Sequence, residues 1–237
     1  MSLNDFILTL SSDSSSAFFH NTCSNFTNHL AENVRLPEGE LWEVSLIALQ
    51  CPEHVLTFSN DGNQRDVTFV HKDNKETGAT IPNGFYADIS ALVDAINTLT
   101  PGGAKPLKYD SFTKSVAFTL PPTLKELKLS SYVRKLLCLD LQTTIKEASL
   151  TSHRNAVYVY CNLIRPQFVG EAKAQLLNIV ALNSITKGSL NSVSPAFVQL
   201  SDNSFDKIII ELTDSSGGVI PFSVGITAAR LRFRKRS

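Results

Sequence analysis

The side chains that most often carry out chemistry are scattered in this sequence. Its five histidines are not spaced as HxxxH or HxH, the patterns that place two imidazoles on one metal ion. Cys51 and His54 are three residues apart, but no second pair completes a metal site. The sequence contains no GxSxG, P-loop or GxGxxG motif. We therefore predict no catalytic residues, no metal, no cofactor and no enzymatic activity. The histidines are His20, His29, His54, His71 and His153.

The basic C-terminus is the most suggestive local feature. Its cationic residues are Arg230, Arg232, Arg234, Lys235 and Arg236. The first three alternate with Leu231 and Phe233, so a strand would place three guanidinium groups on one face. We consider three interpretations: an edge strand protected by charge, a patch facing a phosphate backbone or an acidic partner subunit, and a free tail.

Composition limits the class of protein. The 22 basic and 22 acidic residues cancel, so any contact with nucleic acid must be local. No apolar run approaches the roughly 20 residues that span a bilayer, and we predict no membrane contact. The N-terminus lacks the basic region and cleavage site of a secretory leader. We expect a protein made inside a cell, not secreted, whose four cysteines are reduced and mostly buried.

Alternating apolar residues predict an all-β protein. We count about nine or ten short strands and find no βαβ pattern. The strand around Trp42 and the strand over 156–164 are the clearest. The segment from Phe205 onward predicts a hairpin that turns at residues 214–218 and resumes at Phe222.

Two short helices interrupt the strands. The first has a stripe of Ile89, Leu92, Val93, Ile96 and Leu99 with Asp88 as N-cap, and the second begins near Ser130 or Ser131. This pattern favours an antiparallel β-sandwich with helices inserted in its loops. No linker of Pro, Gly and Ser divides the chain. We predict one domain over residues 1–237, with 228–237 as a basic strand or tail.

Several stretches taken together resemble a known family. They are FILTLSSDSSSAFFHNTCSNFTNHL, WEVSL, YVYCNLIRPQFVGEAKAQLLNIV and FDKIIIELTDSSGGVIPFSVGITAARLRFRKR. They resemble, in the same order, the penton (minor capsid) proteins of Polinton (Maverick) elements and adintoviruses, which are similar to virophage pentons. The resemblance implies a single jelly roll, a structural role in the virion and self-assembly as a homopentamer at capsid vertices. Virophage pentons can carry an extra inserted domain, for which this chain has little room.

The same resemblance implies the partners. They would be copies of the chain itself, the major capsid protein of the same particle and, through the basic C-terminus, weak contact with packaged DNA. Two alternatives remain at this point. One is another minor or cement protein of the same capsid. The other is a non-catalytic carbohydrate- or receptor-binding β-sandwich, with Phe18, Phe19, Phe85 and Tyr86 as the aromatic candidates.

Overall fold

The fold is seen in a computed structural model that describes residues 5–58, 62–139, 148, 150, 156–182 and 191–236. Contacts divide the chain into two compact units. Unit 1 is Met1–Val55 with His153–Ser237, and unit 2 is Leu56–Ser152. In chain order the first strands are β1 (Asp5–Ser11), β2 (Asn25–Arg35) and β3 (Trp42–Gln50). Unit 2 follows with β4 (Asp66–His71), β5 (Glu76–Thr80), α1 (Ile89–Leu99), β6 (Leu107–Asp110), β7 (Ser115–Phe118), β8 (Leu124–Leu129) and α2 (Ser131–Leu136).

The remaining strands return to unit 1. They are β9 (Ala156–Cys161), β10 (Gln167–Val169), β11 (Ala172–Ala174), β12 (Leu176–Ala181), β13 (Asn191–Ser192), β14 (Val198–Gln199), β15 (Ser204–Thr213) and β16 (Ala228–Lys235). The first sheet has the order β1-β16-β3-β13, with β14 also paired to β3. The second sheet has the order β12-β9-β15-β2. Every pair in both sheets is antiparallel.

The order of these strands defines a jelly roll. With β13 and β14 taken as two pieces of one strand and the β10–β11 hairpin set aside, unit 1 has eight strands. Numbered along the chain, they run 1-8-3-6 in one sheet and 5-4-7-2 in the other. This is the double Greek key of a jelly roll. The predicted all-β, antiparallel jelly-roll sandwich is confirmed.

One core joins the two sheets of unit 1. Leu46, Leu231 and Phe233 from the first sheet are fully buried with Val159 and Ile210 from the second. Phe233 stacks on Phe6 of β1 at 4.7 Å between ring centroids. It also stacks on Phe205 of β15 at 5.4 Å. Since Phe205 belongs to the second sheet, the aromatic stack crosses the sandwich.

Unit 2 has its own core around a three-stranded sheet and two helices. The sheet order is β5-β4-β8, and β6 and β7 form a separate hairpin. Asp88 caps α1 as predicted, because its carboxylate accepts a hydrogen bond from the backbone N–H of Ala91 at 2.8 Å. Ser130 caps α2 through the N–H of Val133. Both helices of the sequence analysis are confirmed, and both lie between β3 and β9 in the chain.

Unit 2 is a larger insertion than the sequence analysis expected. The sequence was expected to leave little room for an inserted segment, yet Leu56–Ser152 forms a compact unit between two jelly-roll strands. Its buried side chains, from Phe58 to Ala148, form a cluster distinct from the core of unit 1. The prediction of a single domain over 1–237 stays a prediction, because units defined by contacts need not fold separately.

The predicted hairpin after Phe205 is mostly wrong. Its turn exists, since the N–H of Asp214 donates to the carbonyl of Gly218 at 2.8 Å. Beyond one bridge between Thr213 and Val219, however, the chain leaves the sheet. β15 already has β2 on one side and β9 on the other, so a hairpin partner has no free edge. The chain crosses to the other sheet and begins β16 at Ala228, close to where the alternating apolar residues switch from even positions, ending at Ile226, to odd ones at Leu231 and Phe233.

We expect the aromatic stack to contribute more to stability than any exposed ring. Phe233→Ala removes a fully buried ring that touches both sheets, and should lower the free energy of unfolding by about 3–5 kcal/mol. Phe112→Ala is the matched control, because Phe112 is 95% exposed. That control should stay within about 0.5 kcal/mol of wild type. Urea unfolding measures both, and equal losses in the two variants would contradict the assignment.

The four cysteines are free, but only Cys51 and Cys161 are buried; Cys23 and Cys138 are half-buried. Burial raises the pKa of the Cys161 thiol to about 12. At pH 8 about one molecule in ten thousand would carry the reactive thiolate, against about a quarter in the unfolded chain. Pulse alkylation with iodoacetamide, read by mass spectrometry, should therefore modify Cys161 only after urea is added. Rapid modification in the native protein would show that this strand opens readily.

Candidate assembly interface

The basic C-terminal strand lies in the middle of a sheet. β16 pairs with β1 on one side and β3 on the other. The interpretation as an edge strand protected by charge is therefore wrong, and so is the interpretation as a free tail for residues 228–235. Ala229, Leu231 and Phe233 point into the core, which requires Arg230, Arg232 and Arg234 to lie on the outer face.

Carboxylates on the neighbouring strands pair with two of these arginines. Arg232 lies across from Ile7 of β1, and its Nε donates to both carboxylate oxygens of Asp5 at 2.9 and 3.1 Å. Its second guanidinium nitrogen contacts the same carboxylate. These hydrogen bonds hold the pKa of Asp5 below its usual value and raise that of Arg232. On the β3 side, Arg234 donates to Glu43 at 3.0 and 3.2 Å.

The pairing extends to the end of the described chain. Lys235 donates to Glu40 at 2.5 Å, and Nε of Arg236 lies 3.7 Å from Glu43. The guanidinium of Arg234 also stacks on the ring of Phe197 at 3.5 Å. Four of the five predicted basic residues thus pair with carboxylates of their own chain. We call this set, with Asp5, Glu40 and Glu43, the charge ladder.

Arg230 differs from the other cations of β16. Among the residues that the structure describes, no carboxylate pairs with it. It lies between Thr9 of β1 and Ala48 of β3, where β3 has one extra residue relative to β16. A shallow depression of about 640 Å³ surrounds it. The apolar members of the depression include Ile7, Ile47 and Ala48, and the charged members are Asp5, Arg230 and Arg232.

A second exposed feature of unit 1 is the hairpin of β10 and β11. Val169 pairs with Ala172, so Gly170 and Glu171 alone form the turn. Gly170 has a φ of +60°, the left-handed conformation that two-residue hairpin turns require. Phe168 is 76% exposed, and the ammonium of Lys173 lies 5.3 Å from its ring centroid. Sequence reasoning missed this hairpin, whose only signal was Gly170 between two short runs.

The structure places the four aromatic candidates in different units. Phe18 and Phe19 belong to unit 1, where Phe18 is 82% exposed and Phe19 lies 5.1 Å from the ammonium of Lys207. Phe85 and Tyr86 belong to unit 2, where the hydroxyl of Tyr86 donates to the carbonyl of Pro82. The candidates therefore fall two in each unit.

The described residues contain no group of three or more His, Cys, Asp or Glu side chains placed to hold a metal ion. Likewise, none of the helices in this part of the chain combines the length and apolar character needed to cross a bilayer.

Comparison with known proteins gave matches only among solved structures. The sequence matches no protein-family model and no curated protein. The crystal structure of the mavirus penton protein is similar, with a TM-score of 0.46, 11% identity and coverage of 98% of this chain and 100% of that chain. A chain in the cryo-EM structure of the Sputnik virophage has a TM-score of 0.47 and 12% identity, with 98% of each chain covered. The expected similarity of this chain to a virophage penton is therefore observed, while the link to Polintons and adintoviruses stays a prediction.

The ion pair of Asp5 and Arg232 predicts a defined dependence on pH. Because the folded-state pKa of Asp5 is lowered, its contribution to stability is present above the unfolded value of about 3.9. That contribution is lost as the pH falls through the lower folded value. Asp5→Asn should therefore be less stable than wild type at pH 6, with the difference shrinking as the pH falls below about 3.9. Thermal melts across this range test it.

Asp202→Asn is the control for this measurement, because Asp202 is exposed and has no cation partner among the described residues. Its melting profile should follow wild type at every pH. A constant difference between Asp5→Asn and wild type down to pH 2 would show that the carboxylate contributes nothing through its charge.

Proposed function

We propose that this protein is a structural capsid protein of the penton type, which self-associates into pentamers at the vertices of an icosahedral shell. The observation that carries the proposal is the 1-8-3-6 and 5-4-7-2 strand order of unit 1. Jelly rolls with this double Greek key form many viral capsid domains. The sequence resemblance to penton proteins, quoted above, selects this use among those the fold serves.

The physical requirement on such a subunit is a rigid body with side-chain faces that contact neighbours. The continuous core of unit 1 supplies the rigidity, since both sheets contribute fully buried side chains to it. A ring of five copies needs heterologous contacts, in which one patch meets a different patch on the next copy. The outer face of the first sheet and the β10–β11 hairpin are two different exposed patches of this kind.

The charge ladder limits the contact with nucleic acid. Each arginine or lysine that already pairs with a carboxylate has less charge available to displace counterions from a phosphate backbone. Four of the five cations are paired, so contact with packaged DNA would be weak and the outer face would serve chiefly for protein neighbours. The partners in this proposal are other copies of the chain and the major capsid protein. The protein would be made in the host cell interior and end in the virion.

Self-association is the direct test of the proposal. The purified protein should sediment as a species of about five protomers, and negative-stain electron microscopy should show rings with a central axis. A strict monomer at high concentration, both alone and with the major capsid protein, would contradict it. A monomer that binds between assembled capsomers, away from the vertices, would instead indicate a cement protein of the same particle.

A further inference from the structure

We propose that the β10–β11 hairpin of one copy docks into the depression on the first sheet of the next copy. Phe168 would cover Ile7 and Ile47 of the neighbour, and Glu171 would pair with its Arg230. This inference rests on the proposed function, since it names the contact that self-association would use. Its basis is that one chain carries two complementary surfaces, the depression around Arg230 and the hairpin with Phe168 and Glu171. Neither Arg230 nor Glu171 has a partner of opposite charge among the described residues.

The depression has the properties of a receiving site. Ile7 is 45% exposed on the outer face of β1, while Phe6 and Leu8 beside it pack against the core of unit 1. Arg230 is half-buried beside it and, alone among the three outward arginines of β16, has no carboxylate partner in the described part of the chain. Desolvating a guanidinium is costly unless a carboxylate comes with the partner. The occupant must therefore bring an apolar side chain and a negative charge close together.

The hairpin supplies those two groups within four residues. Phe168 is exposed on β10, and Glu171 is exposed in the turn with no cation partner in the described part of the chain. An aromatic side chain that fills a depression at the centre of a contact is the usual energetic anchor of a protein interface. A single paired carboxylate then fixes the register.

The hairpin is also held ready for docking. Gln175, just after β11, donates from its side-chain amide to the carbonyls of Asn162 and Ile164 at 2.9 and 2.7 Å. The side chain of Gln167 bonds the carbonyl of Leu176. These bonds tie both ends of the hairpin to adjoining segments of the chain. A preformed hairpin loses little conformational entropy on binding, so more of the contact energy appears as affinity.

The contact would be heterologous, because the hairpin and the depression are different surfaces of one chain. Such a contact repeats from copy to copy until the rotation closes a ring. The association would also weaken with added salt, since dissolved ions screen the attraction between Glu171 and Arg230 as two copies approach.

A charge-reversal cycle tests the proposal. Glu171→Arg and Arg230→Glu should each raise the dissociation constant for self-association by about tenfold or more, because each places like charges together. The double variant should return to within about threefold of wild type, since it restores the pair in reverse. Phe168→Ser should weaken association by about tenfold or more. Glu53→Arg, at an exposed residue of unit 1 outside both surfaces, should change nothing.

Sedimentation velocity over a range of concentrations measures the dissociation constant of wild type and of every variant, and circular dichroism confirms that each variant folds. If Arg230→Glu does not fold, Arg230→Gln and Glu171→Gln form a double-mutant cycle for the same pair, and additive effects in it would overturn the proposal. Wild-type assembly that no variant weakens would also overturn it, while leaving the proposed function standing. Variants that keep wild-type self-association and lose only binding to the major capsid protein would likewise overturn the proposed contact. A strictly monomeric wild type would contradict both proposals.

Discussion

The stack of Phe6, Phe233 and Phe205 is the contact on which the jelly roll most depends. Phe233 is fully buried, with Phe6 parallel to it at an interplanar angle of 2° and Phe205 at 21°. Because the three rings come from β1, β16 and β15, they join both sheets and both ends of the sequence in one set of contacts. Trp42 of β3 extends the set, 6.0 Å from Phe6. Large buried rings contribute more per residue than any other side chain, so this corner of the sandwich fixes how its sheets meet.

The inner aromatic stack and the outer charge ladder are two faces of one strand. Alternation along β16 sends Leu231 and Phe233 inward and requires Arg232 and Arg234 to point outward. Their partners Asp5 and Glu43 lie on the flanking strands β1 and β3. The charge ladder therefore depends on the register of all three strands. The same register leaves Arg230 beside the extra residue of β3, where no carboxylate of the described residues pairs with it. The register of the strands thus explains why Arg230, unlike Arg232 and Arg234, has no carboxylate partner in the part of the chain that the structure describes.

Local patterns were predictable from the sequence, and long-range pairing was not. Asp88 and Ser130 cap their helices because a cap needs only residues three positions away. Alternation correctly identified β3, β9 and β15 as strands, since each buries one or both faces against the core. The hairpin prediction after Phe205 failed because nothing in that segment reveals that β2 and β9 occupy both edges of β15. An edge strand and a free tail were among the interpretations of the basic segment for the same reason: its acidic partners Asp5 and Glu43 lie about 190 residues or more away in sequence. The sequence left little room for an inserted segment such as unit 2, because no linker of Pro, Gly and Ser marks its boundaries.

The position of β16 determines when the first sheet can form. β1 and β3 do not pair with each other; each pairs with β16, which is made about 180 residues after β3. Until residues 228–235 leave the ribosome, β1 has no partner in its sheet and the aromatic stack lacks its central ring. Contacts this distant in sequence close slowly, because the intervening chain must first give up its freedom. Translation therefore acts as a timer, and the complete jelly roll of unit 1 exists only once synthesis of this strand is finished.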